Sequence, residues 1–165
     1  MKSLLLLFVL FLIGTSAFSQ LKTSTQNLCP TFVVDLLDGK VNGVKANFTQ
    51  GEVKKLLPCF TSAEPEDNTS KCGGLVAFKD RDVYFYTGRD YVEIREKFKG
   101  KLSIPLMGAA RNSLFKYLGN VKVRDTNWDA YQTSYDLIIV YFNKANKINK
   151  IQFSTDGPDN IKLCE

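Results

Sequence analysis

Residues 83–95, VYFYTGRDYVEIR, are the stretch on which the fold turns. Gly88-Arg89 at its centre, glycine first, is the pattern of a type II′ two-residue hairpin turn. A turn there pairs Tyr86 with Tyr91, Phe85 with Val92, Tyr84 with Glu93, Val83 with Ile94 and Asp82 with Arg95. Apolar residues then meet apolar residues on one side, while tyrosines and opposite charges share the other. A slip of one residue would mix both faces, so the register is strongly specified. The stretch reads as an antiparallel hairpin with one core face and one aromatic, charged face.

Working outward, residues 75–79 supply a preceding strand and residues 91–98 extend the last one, making a meander. Upstream, Thr49-x-x-Glu52 is a capping box, with Phe48 and Val53 placed as a hydrophobic staple. Val53, Leu56 and Leu57 follow i, i+3, i+4 spacing, and Pro58 halts the helix. So short a helix is marginal alone and needs a sheet beneath it. Downstream of a turn at Lys99-Gly100-Lys101, residues 108–119 repeat the theme with Leu114, Tyr117, Leu118 and a terminal Gly119. An offset of about 61 residues lays Val53, Lys55 and Leu57 on Leu114, Lys116 and Leu118. Residues 135–142 and 147–154 read as strands joined by a loop longer than two residues, because Lys144 would otherwise face Lys147. Residues 31–37 are rich in strand formers, with Asp38-Gly39 or Asn42-Gly43 as the turn. Residues 59–74 and 125–131 read as loops, the second holding Trp128. The expected class is α+β, short helices on antiparallel sheet. It forms a single domain over 20–165, within which two tandem modules, 44–100 and 101–155, are open.

Residues 1–20, MKSLLLLFVLFLIGTSAFSQ, carry a basic start, an apolar core and small residues at a cleavage position, which is a signal peptide over 1–19. The apolar run falls short of the roughly 20 residues a spanning helix needs, so no transmembrane segment is expected after cleavage. The expected location is exported, periplasmic or extracellular. The chain has 22 basic and 17 acidic residues; losing Lys2 leaves 21, for a net charge of +4. That mild excess, without a block of like charge, does not suggest a nucleic-acid partner. Cys29, Cys59, Cys72 and Cys164 form an even set in an exported chain, hence two disulfides with three connectivities open. Cys59–Cys72 and Cys29–Cys164 are favoured: one closes a short excursion, the other ties the domain ends, worth about 3 and about 5 kcal/mol.

The stretch FTQGEVKKLLPC at 48–59, a loop, a second cysteine at 72 and then strands resembles a repeat of the beta-lactamase inhibitory protein family. A helix ending in Leu118-Gly119, followed by YDLIIVYFNKANKINKIQF at 135–153, is similar to the small outer-membrane-assembly lipoproteins. The likeness spans roughly 44–154 and implies tandem helix-plus-sheet modules. No inhibitory or binding residue carries over from it.

The absence of histidine removes Ser-His-Asp and Cys-His catalysis, and with no CxxC it leaves no zinc pattern. No cofactor is implied. Asp80, Asp82, Asp90, Glu93 and Glu96 are the carboxylates available for paired acid–base work. They read better as solvated cross-strand partners, Asp82 to Arg95 and Asp80 to Lys97. Tyr84, Tyr86, Arg89, Tyr91 and Arg95 are the candidate binding residues, being of the types that dominate interaction hot spots. The competing reading buries those tyrosines under the N-terminal hairpin, and Trp128 reads as a plug at a core edge. Asn47 and Asn68 match the glycosylation pattern, taken as chance in a bacterial-looking chain. The expected function is non-enzymatic binding of an unidentified protein or cell-envelope component. A carboxylate-dependent hydrolase of envelope polysaccharide, or an inhibitor of an exported enzyme, is the alternative.

Overall fold

The computed structural model describes residues 29–67, 69–135 and 137–164; the expected signal peptide at 1–19 and Asn68 lie outside them. The chain opens with strands β1 (Phe32–Asp35), β2 (Lys40–Val41) and β3 (Val44–Lys45). Both candidate turns are used, one on each side of β2. Asn42 and Gly43 both take positive φ (48° and 83°), as a type I′ hairpin requires. Helix α1 (Gln50–Leu56) follows with its capping box intact: Glu52 accepts from the Thr49 N–H at 2.8 Å, and the Thr49 hydroxyl accepts from the Glu52 N–H at 3.3 Å. Val53 and Leu57 are buried, but Leu56 is 53% exposed, so the apolar stripe is narrower than its spacing suggests.

The stretch 59–74 is not all loop. It contains β4 (Ser62–Glu64), an edge strand on β5 (Leu75–Phe78), too short and polar to show a period of two. Strands β5, β6 (Val83–Tyr86) and β7 (Tyr91–Arg95) form the meander, and all four expected pairs from Tyr86–Tyr91 to Val83–Ile94 are present. The turn differs. Thr87–Arg89 make one 3-10 turn and Asp90, not Gly88, takes the left-handed conformation at φ 50°. Gly88 is required for a different reason: a Cβ there would lie 1.9 Å from the Gly73 carbonyl oxygen. Asp82 accepts the Lys97 N–H with its carboxylate instead of meeting the Arg95 guanidinium, and Asp80 lies 3.7 Å from Arg81 instead of opposing Lys97.

Lys99-Gly100-Lys101 is not a turn but leads through β8 (Gly100–Leu102), which pairs parallel with β1. The expected second helix shrinks to a 3-10 turn at Arg111–Ser113 and α2 (Phe115–Leu118), ended by Gly119. Strands β9 (Val123–Arg124) and β10 (Trp128–Gln132) replace the loop expected at 125–131. An acid in mid-strand disguised β10; Asp129 is fully buried against Arg111. Strands β11 (Leu137–Phe142) and β12 (Ile148–Ser154) stand as expected.

Among the described residues these elements make two sheets, of order β3-β2-β1-β8 and β4-β5-β6-β7-β12-β11-β10-β9. The architecture is sheet-dominated and mixed, with the helices minor. In the large sheet each helix precedes four strands that run from an outer edge to the middle, where β7 meets β12. One face of that sheet carries Val76, Phe78, Phe85, Val92, Ile138 and Phe153 into the main core. The N-terminal sheet, α1 and the buried Leu106 and Leu114 cover it, with Phe78 edge-on to Phe32 at 4.9 Å.

The cysteines pair as Cys29–Cys59 and Cys72–Cys164, with Cα separations of 5.6 and 5.5 Å. This corrects the favoured Cys59–Cys72 and Cys29–Cys164. The β4–β5 register supplies the reason: with Ser62 opposite Ala77 and Glu64 opposite Leu75, Cys59 lies off the open end of the hairpin and Cys72 in its closed end. Loop closure favours a short ring only logarithmically, too weakly to overrule that geometry.

Candidate functional site

The second face of the large sheet, turned away from the core, is where the sequence placed its aromatic and charged residues. Strand pairing lays them out in rows. One row runs Tyr86, Tyr91, Ser154, Leu137. The next runs Tyr84, Glu93, Gln152, Ile139, Ala130, and the third Arg95, Lys150, Tyr141, Trp128.

The first row is covered. After β12 the chain turns back, and its tail lays Ile161, Leu163 and Cys164 on this face. Arg89 holds the tail, its Nη1 donating to the carbonyls of Lys162 (3.2 Å) and Leu163 (3.3 Å) and its Nε to that of Cys72 (3.0 Å). The Cys164 N–H donates to the Tyr91 hydroxyl at 3.0 Å, and the Cys72–Cys164 bond completes the attachment. Tyr86 and Tyr91 stack at 4.4 Å beneath it, Tyr91 with no exposed surface. Burial, foremost, pushes the Tyr91 phenol well above the usual tyrosine range. Three of the five candidate binding residues, Tyr86, Arg89 and Tyr91, are therefore occupied in seating the tail. The cover is the C-terminal tail and not the N-terminal hairpin, which lies on the core side.

Tyr84 and Arg95 are brought together on the uncovered part, the guanidinium 4.0 Å from the ring centroid. Arg95 Nε donates to Glu93 Oε1 at 2.5 Å, while Gln152 Nε2 donates to Oε2 at 2.7 Å and Lys150 Nζ lies 3.5 Å from that same oxygen. Burial disfavours the charged Arg95, but the Glu93 hydrogen bond and charge reverse the effect and raise its pKa. Lys150 Nζ sits 3.8 Å from the Tyr141 ring centroid, and the Tyr141 hydroxyl donates to Gln152 at 2.8 Å. Lys150, Gln152 and Tyr141 are the members that sequence reading missed. The alternation of Lys150 and Gln152 with Ile151 and Phe153 was visible, but it pointed nowhere until β12 was known to lie beside β7, and Tyr141 stands on β11 beyond them.

Trp128 packs at the edge of a small core of Ala130, Leu137 and Ile139, the kind of place expected of it. Half-buried, it lines a groove of about 620 Å3 between β9–β11 and the tail, together with Ile139, Tyr141, Ile161 and Leu163. Among the described residues no charged side chain lines the groove. Of the candidate carboxylates, Glu93 is 4% exposed and engaged by Arg95 and Gln152, and Asp82 holds a backbone N–H, whereas Asp90 is held above the ordinary carboxylate range by burial, foremost, and by the charges of Asp156 and Glu66. Among the described residues no group of three or more acids or cysteines is arranged to hold a metal ion, and no helix is long and apolar enough to cross a membrane. No protein family, no curated protein and no solved structure matches the chain.

Proposed function

We propose that the protein is an exported, disulfide-stabilised, non-enzymatic module that binds a partner protein or cell-envelope component through the uncovered part of its outer sheet face. The observation that carries this reading is the row Arg95, Lys150, Tyr141, Trp128 with Tyr84 beside it. Each cation rests on a tyrosine ring, at 4.0 Å and 3.8 Å, and the charges are tied to one buried carboxylate. Side chains held this way lose little freedom when a partner arrives, which is what makes aromatic and arginine anchors effective. Export is supported by the leader at 1–19 and by two long-range disulfides, which persist in oxidising compartments.

Inhibition of an exported enzyme is the second reading. It draws on the sheet order, in which two helix-then-four-strand halves meet at β7 and β12, an arrangement in keeping with the tandem modules its resemblance implies. Carboxylate-dependent hydrolysis would fall to Asp90, which shares surface openings with Asp156 and with Glu66 and is raised by burial and by their charges.

The test is capture from the envelope fraction of the native host with oxidised protein as bait. Tyr84→Ala combined with Arg95→Ala should reduce recovery of a specific partner about tenfold with the fold retained by circular dichroism. Equal recovery would remove this face from consideration. N-terminal sequencing of the mature protein should begin at Gln20.

A further inference from the structure

We propose that the groove between the tail and strands β9–β11 binds a free single-chain amphiphile with an anionic head, of the fatty-carboxylate class, its chain over Ile139 and Leu163 and its head beside Lys150. The groove, at about 620 Å3, is the size of a small-molecule site, and among the described residues its lining is aliphatic and aromatic apart from Asn127, without a charge. An apolar body is the ligand such a lining favours, since any buried charge would go unpaired.

The end of the groove at Tyr141 has a different character. Lys150 Nζ lies over the Tyr141 ring, and Arg95 is its neighbour on β7. Both cations share one carboxylate, Glu93. Arg95 holds one of its oxygens at 2.5 Å, and the other is already taken by Gln152 at 2.7 Å while Lys150 stands off at 3.5 Å. One positive charge is thus left over beside the apolar channel, and Lys150 is the cation with the looser attachment. An anionic head at that mouth complements it, whereas a neutral or cationic head does not. The tail is also part of the site, because Ile161 and Leu163 form one wall. The site goes beyond partner capture; it shares Lys150, Tyr141 and Trp128 with that face but not Tyr84, which lies two strands away from Lys150 and outside the groove.

Trp128 is the chain's one tryptophan and it lines the groove, so its emission reports occupancy directly. Oxidised protein is titrated with dodecanoate, dodecanol and dodecyltrimethylammonium, each below its micellar concentration. Dodecanoate should shift Trp128 emission saturably and bind about fivefold more tightly than dodecanol, the worth of one partly exposed charge contact. The ammonium should bind more weakly still. Lys150→Gln should lose that fivefold for dodecanoate and leave dodecanol within about twofold. Ile139→Glu should abolish saturable binding; if circular dichroism shows it unfolded, Leu163→Asp on the tail takes its place. Tyr84→Ala should leave dodecanoate affinity unchanged, which separates this site from the partner face. A flat titration with no heat in calorimetry would overturn the proposal. So would equal affinity for the three head groups, or a response seen only with phosphatidylglycerol vesicles.

Discussion

Asp129 is a carboxylate with no exposed surface, in the second position of β10. Arg111 makes that tolerable, donating from Nε (3.0 Å) and Nη2 (2.5 Å) to its two oxygens while stacking on Phe142 at 4.7 Å. Removing one partner of a buried pair leaves the other uncompensated. Arg111→Met should therefore lower unfolding free energy by about 3 kcal/mol in urea titrations, with Arg124, 3.5 Å from Asp129, limiting the loss. The buried phenols give a pH dependence. Burial, foremost, raises Tyr84, Tyr86, Tyr91 and Tyr135 above the ordinary value of 10.0 and pushes Tyr131 up to about 12. A phenol whose folded pKa exceeds its unfolded one holds its proton more tightly in the folded chain. That stabilisation is whole below the unfolded value and is lost as pH rises through the folded one. The denaturation midpoint should fall between about pH 10 and 12, with the tyrosinate signal of these five phenols appearing together with unfolding.

At the level of elements, the hairpin of β6 and β7 shows how a correct register can be joined by a turn of another kind. The face pattern determines the pairing, while the connecting residues answer to what lies against them. Gly88 passes over Gly73, so Gly88→Ala drives a methyl into backbone that cannot retreat. It should lower stability by about 2 kcal/mol, read as a shifted midpoint with unchanged slope in denaturant. The same logic explains what was legible beforehand. Residues 83–95, the Thr49 capping box and strands β11 and β12 were readable because their partners are close in sequence or their alternation is clean. Strand β8 was not, because its partner β1 is remote and its glycine and lysines imitate a turn. Strand β10 was hidden by a buried acid whose counter-ion sits on another element. Of the candidate site, Tyr84 and Arg95 were found from the hairpin alone, whereas Lys150 and Tyr141 required the β7–β12 junction, which no local pattern announces.

For the molecule as a whole, the two crosslinks divide the labour between the two faces of the large sheet. Cys29–Cys59 fastens the segment before β1 to the end of α1 on the core side, and Cys72–Cys164 fastens the tail across the outer side. The closed rings are of 30 and 92 residues, worth about 4 and about 5 kcal/mol by chain entropy. Cys164→Ser should therefore be the more damaging of the two lesions. It should also free Tyr86 and Tyr91, seen as a changed near-ultraviolet dichroism and as early proteolytic loss of the tail, neither of which Cys29→Ser should produce.

The pairing has a further consequence for how the chain is made. Cys164 is the last of the four thiols to leave the ribosome, so through most of synthesis Cys72 has only wrong companions, and Cys59 is the nearest. Oxidation that outruns translation will trap those neighbours in a ring that thiol exchange must later reopen. Expression in an oxidising host without a disulfide isomerase should then yield mostly the mispaired species, identifiable by a peptide linking Cys59 to Cys72, and restoring the isomerase should recover the native bonds.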